Sequence, residues 1–203
     1  MEGTDSGESR DSLLVPDLDT LFARLDALKA EKGMLWFGIS GTWRKTNEEV
    51  EQGVRDAVRK IMERGDGIVS GGALGVDSFA TDEALKLNPT ADRIKIVLPV
   101  VLDLYAAHYR KRAIEGVITS EQAEALIAQL ESLHAANPAA IVGHPENTVV
   151  DTKTYFERNT EVVNASDALV GFQVNESEGV GDTVKKALAQ HKPVALEKFT
   201  IED

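Results

Sequence analysis

Gly67-Ile-Val-Ser-Gly-Gly-Ala-Leu-Gly-Val-Asp77 is the stretch that decides the fold. Gly67 to Ser70 reads as a short apolar strand. Three glycines, Gly71, Gly72 and Gly75, then fall within six positions, and a helical pattern runs from Gly75 to Leu87. A strand that hands over to a helix through small residues is the repeating unit of an open α/β fold. Two more segments have the same grammar, Gly38-Ile-Ser-Gly-Thr-Trp-Arg44 and Gly179-Val-Gly-Asp-Thr183. A fourth, Tyr155-Phe-Glu-Arg-Asn159, lies just before an apolar strand. Taken together they predict one ligand pocket along the carboxyl edge of a parallel sheet, where such folds bind nucleotides.

Working outward, the periodicity predicts a helix over 14–32, with Leu18, Leu21, Phe22, Leu25 and Leu28 on one face. It predicts a buried strand over 34–40, a helix over 47–64 and a third strand over 93–99. Helices follow over 104–115 and over 120–136, the second with Ser120 as its N-cap. A short strand is expected within 138–145, a helix over 153–164, a strand over 167–172, a helix over 180–190 and a last strand over 193–197. The strands are continuously apolar rather than alternating, which favours a mostly parallel sheet covered on both faces. The expected architecture is an α/β three-layer sandwich, Rossmann-like. A polar, acidic, disordered tail is expected over 1–12. One domain is expected over 13–203, with a helical insertion at about 104–150.

The 203 residues and 42% hydrophobic content suit one domain with a real core. With no cysteine there is no disulfide frame or thiolate chemistry. His108, His134, His144 and His191 form no metal-binding spacing, so neither metal nor cofactor is expected. The start is acidic and lacks an apolar core, unlike a signal peptide, and no apolar run is long enough to span a membrane. A cytoplasmic protein is expected. The net charge of −12 opposes non-specific attraction to nucleic acid while leaving room for a local basic groove.

Each segment has a functional and a structural reading. Ser40, Gly41 and Thr42 let backbone and hydroxyls approach an anion, with Arg44 adding charge; otherwise they form a tight turn. Ser70, Gly71, Gly72 and Gly75 match neither a Walker A loop nor GxGxxG. Asp77 either caps its helix or faces ribose hydroxyls. Arg158 can grip a phosphate bidentately and Asn159 can read a base or hydroxyl, unless both lie on a solvated helix face. Gly179, Gly181 and Thr183 open a helix able to hold an anion, although Glu176, Glu178 and Asp182 nearby suit ribose hydroxyls or acid–base work better than a triphosphate. Glu157 and Asp182 are the candidate catalytic carboxylates. Arg110-Lys-Arg112 is the densest basic run and reads as a solvated face.

The ordered set of motifs resembles the Rossmann-like superfamily that unites DprA/Smf DNA-processing proteins with LOG-type phosphoribohydrolases, the SLOG group. The DprA/Smf branch is the nearer likeness. Its Ser-Gly-x-Ala-x-Gly-Ile-Asp element is similar to Ser70-Gly-Gly-Ala-Leu-Gly-Val-Asp77, and its Gly-x-Arg-x-x-Ser turn to Gly41-Thr-Trp-Arg-Lys-Thr46 with altered spacing. Its Arg-Asn before an apolar strand resembles Arg158-Asn159, and its Ser-Gly-Ser/Thr-x-x-Thr element resembles Glu178-Gly-Val-Gly-Asp-Thr183. Its strand followed by Gly-Leu-Asp-x-x-Tyr-Pro is similar to Val97-Leu-Pro-Val-Val-Leu-Asp-Leu-Tyr105. The likeness covers about residues 34–198. The family's Phe-Pro-x-Arg-Asn-Arg stands here as Tyr155-Phe-Glu-Arg-Asn-Thr160, without the Pro and the second Arg. The LOG signature Pro-Gly-Gly-x-Gly-Thr-x-x-Glu is absent as such.

The resemblance implies a nucleotide or nucleotide-derivative binding protein, in DNA processing or nucleotide sensing. The alternative is a phosphoribohydrolase that cleaves the N-glycosidic bond of a nucleoside monophosphate. The expected partners are a nucleotide-like small molecule and, as a further candidate, single-stranded DNA. A homo-oligomer is expected, and no membrane.

Overall fold

The computed structural model describes residues 10–202. The tail expected over 1–12 falls largely outside them; Arg10–Leu13 form a helical turn, α1. The described residues build a seven-stranded, all-parallel sheet in the order β1-β7-β6-β2-β3-β4-β5. Its strands are β1 (Leu14–Val15), β2 (Trp36–Gly41), β3 (Gly67–Ser70), β4 (Ile94–Val97), β5 (Ile141–Val142), β6 (Ala168–Val174) and β7 (Val194–Phe199). The helices are α2 (Leu18–Lys32), α3 (Glu48–Glu63), α4 (Val76–Leu87), α5 (Leu102–Ile114), α6 (Ser120–Ala136), α7 (Thr152–Asn164) and α8 (Glu178–Ala189). This is the three-layer, Rossmann-like α/β architecture that the apolar strands predicted.

Alternate residues along each strand serve opposite layers, as the two-residue period of a strand requires. Phe37, Ile39, Ile68, Ile94, Ile96 and Val170 join one core with apolar faces of α2, α3, α4 and α6. Leu169 and Val194 pack under α7 and α8 on the other face, as do Val69 and Val97 with Val162 of α7.

Two expectations change. Leu14 does not begin a helix: Leu14 and Val15 pair with Val194 and Ala195 at the sheet edge. Pro16 follows, and Asp17 caps α2 by accepting from Thr20 N at 2.7 Å. The N-cap of α6 is Thr119 rather than Ser120, in a reciprocal capping box with Gln122. The stretch at about 104–150 carries α5, α6 and β5. Leu126, Ile127, Leu130 and Leu133 of α6 belong to the main core, and β5 extends the sheet beside β4.

The chain order locates the site. From β2 the chain moves through β3 and β4 to one side, then returns to β6 on the other flank of β2 and continues to β7. The loops leaving β2 and β6 therefore diverge, and a crevice opens between them at the carboxyl ends.

Candidate functional site

A cavity of about 480 Å³ fills that crevice. Ser40 and Gly41 end β2, Gly71, Ala73 and Asp77 follow β3, and Gly179 and Thr183 lie in the first turns of α8. Tyr155, Phe156, Arg158 and Asn159 face it from α7, and His108, Tyr109 and Arg112 from α5.

Arg158 is its floor. The residue is 7% exposed, although it carries a full charge. Its Nη1 lies 3.4 Å from Oδ2 of Asp77, and among the described residues its Nε has no hydrogen-bond partner. A charge taken from water with its donors unfilled carries a penalty that an anionic ligand relieves. Gly71 makes room for it: a Cβ built there would lie 1.2 Å from Arg158 Nη1. Asp77 accepts from Ala73 N at 3.2 Å, so it organises the glycine turn and orients Arg158 together. Burial pushes the Asp77 carboxyl up, against the opposing pull of the Arg158 charge and of the Ala73 and Gly71 N–H groups.

The walls differ in kind. All three tyrosines of the chain gather beside Arg158. The Tyr105 and Tyr109 rings are 5.0 Å apart with their hydroxyls 3.4 Å apart, and the guanidinium lies 5.4 Å from the Tyr155 ring. Burial pushes the hydroxyls of Tyr105 and Tyr109 up, so both stay protonated donors. Opposite, α8 begins at Ser177, whose side chain makes no capping bond. Its first N–H groups and the positive end of its dipole meet the cavity where Gly179 has nothing within 4 Å of a built Cβ.

Of the residues nominated from sequence, Ser40, Gly41, Gly71, Asp77, Arg158, Asn159, Gly179 and Thr183 line this cavity. The others lie elsewhere. Thr42 ties the two diverging loops together, donating to Ser177 Oγ at 3.1 Å and accepting from Val174 N at 3.3 Å. Ser70 is fully buried. Gly72 faces Ile96 and Leu98, and Gly75 faces the carbonyls of Thr42 and Trp43. Arg44 stacks on Trp43 over a second, shallower depression. Gly181 is open towards Gln173. Glu157 and Asp182 line neither depression. Glu157 pairs with Lys153 at 3.6 Å and Asp182 with Lys186 at 2.7 Å, each within its own helix. Thr183 lines the cavity with its hydroxyl already donated to Gly179 O at 2.9 Å, which leaves that hydroxyl oxygen as an acceptor.

The sequence model of DNA recombination-mediator protein A matches residues 20–202. The chain belongs to that family. Among solved structures, DNA processing protein A from Helicobacter pylori, described for its single-stranded DNA binding mode, is similar at TM-score 0.58 and 22% identity, over 80% of this chain and 64% of that one. DprA from Streptococcus pneumoniae is similar at TM-score 0.44 and 14% identity, over 80% of this chain and 58% of that one. The chain thus spans less than two thirds of either structure. No curated protein matches it in sequence.

For this member of the recombination-mediator family, the α5 contribution escaped sequence reasoning. Tyr105, His108, Tyr109 and Arg112 recur at the spacing of one helical face, which was the available signal. The basic run divides accordingly. Arg110 pairs with Glu124 and Lys111 with Glu115, whereas Arg112 lines the cavity while bonding Glu115 at 2.9 Å.

Proposed function

We propose that this protein binds single-stranded DNA in DNA processing, with the phosphate of one nucleotide seated in the cavity. The observation that carries this is Arg158, a buried guanidinium that, among the described residues, bonds Asp77 at 3.4 Å and leaves its Nε unbonded over Gly71. In this reading Arg158 and the N-terminal turn of α8 hold the phosphate, while Ser40 and Asn159 serve its sugar or base. Family membership supports the DNA-processing role. The acidic balance of the chain favours few phosphate contacts, so a mononucleotide is the smallest ligand the site takes.

Hydrolysis of an N-glycosidic bond has less behind it. Its two nominated carboxylates, Glu157 and Asp182, are engaged by Lys153 and Lys186 away from the cavity.

The test pairs thermal shifts with thymidine 5′-monophosphate and strand titration at two salt concentrations. A mononucleotide should raise the unfolding temperature through linkage. Arg158→Ala should abolish that shift and weaken strand binding by about 1.5–3 kcal/mol, the range for a charged hydrogen bond. Unchanged binding in the folded variant would end this reading.

A further inference from the structure

Trp43 lies in the loop between β2 and α3 and borders two depressions at once. One is the cavity of about 480 Å³; the other, of about 320 Å³, is lined by Arg44, Thr46, Ser78, Gln122 and Gln129. The residue is 40% exposed. The Arg44 guanidinium stacks 4.5 Å from its ring centroid, and the residue borders both depressions. The loop beneath is tied to the start of α4. Val76 N donates to Thr42 O at 3.3 Å, and Gly75 packs against the Thr42 and Trp43 carbonyls. An exposed aromatic ring at the junction of two depressions, the first with an anion-seeking floor, suits the base of a nucleotide next to the one whose phosphate is held.

We propose that Trp43 is a stacking platform for a second nucleotide. The DNA strand leaves the cavity across the indole, and the depression beside Arg44, Gln122 and Gln129 receives the neighbouring unit. This inference rests on the proposed DNA binding and adds a second subsite to it. The ligand the surface recognises is then at least a dinucleotide. The gain comes from base stacking, with Arg44 the added charge, so the salt dependence should be shallow. Two phosphates on a single strand give a slope of log affinity against log salt of only about −1.4.

The experiment compares thymidine 5′-monophosphate, a thymidine dinucleotide and an octathymidylate on the wild-type chain, Trp43→Ala, Trp43→Phe and Arg158→Ala. The dinucleotide should bind the wild type about tenfold tighter than the mononucleotide, in line with the stacking of one base. Trp43→Ala should remove that advantage, lowering dinucleotide affinity by several-fold more than mononucleotide affinity, while Trp43→Phe should restore most of it. Strand binding should also quench tryptophan emission in the wild type and not in Trp43→Phe, which retains only Trp36. If the alanine variant fails to fold, the quench carries the test, and a quench that persists in Trp43→Phe counts against the platform. Equal affinity for one and two nucleotides, or no effect of either Trp43 change, overturns the second subsite. Mononucleotide binding that still depends on Arg158 would then leave the cavity reading standing, whereas loss of all binding to the wild type would count against both.

Discussion

At the end of β3 the glycines are crowded, and at the start of α8 they are open. A Cβ on Gly71 would meet Arg158, one on Gly72 would lie 2.7 Å from Ile96, and one on Gly75 would lie 2.6 Å from Thr42 O. On Gly179 it would meet nothing within 4 Å, and on Gly181 only Gln173 at 3.8 Å. In the first turn glycine is needed for close approach of protein to protein. In the second the same residue leaves free space at a helix start, and free space is what a ligand can use. Two turns of similar composition therefore fail differently when altered.

The largest effect is expected at Gly75. Its backbone sits at φ 73°, ψ −128°, a conformation that only glycine adopts without strain, and a Cβ would press on two carbonyls. Gly75→Ala should lower stability by about 3 kcal/mol in denaturant titrations. A variant as stable as wild type would break the contrast at its strongest point. Gly71→Ala comes next, with a different signature. The obstructing atoms are the far end of Arg158, which can swing aside. Stability should fall modestly, while affinity for a mononucleotide falls about tenfold, the loss of one charge-assisted contact. Loss of stability without loss of binding would mean that Arg158 does not hold the ligand.

Gly181→Ala should go the other way. It lies within α8 with open space around it, so alanine should raise stability by about 0.5–1 kcal/mol through helix propensity. A destabilised Gly181→Ala would show that the space at α8 is less open than its geometry. The smallest effect concerns His108, on the α5 wall. Burial, followed by the Arg112 charge, holds its imidazole below the ordinary value of 6.5. The folded state thus resists protonation more than the unfolded chain does. The associated stability is present above pH 6.5 and is lost as the pH falls below it. His108→Gln should flatten the decline in unfolding temperature over that window; an identical decline would remove His108 from it.

Much of the frame was legible in the chain. The strand at Gly67–Ser70 and the helix at Ser120–Ala136 stand where periodicity put them, because a strand's continuous apolar run and a helix's apolar stripe are local properties. Leu14 and Val15 were misjudged for a matching reason. A two-residue edge strand has no period of its own, and it becomes one by pairing with β7, which lies about 180 positions later in the sequence.

Apart from β1, local pattern was enough for the succession of strands and helices, for their parallel, two-sided sheet and for the glycine turns at one edge, since each follows from neighbours a few residues apart. Which of those glycines line the cavity was decided only by packing. So was the α5 wall of tyrosine, histidine and arginine, and so was the placing of Glu157 and Asp182 outside the cavity. The floor itself joins Arg158 to Asp77 across 81 positions, so their meeting is a consequence of the folded sheet and not of any spacing along the chain.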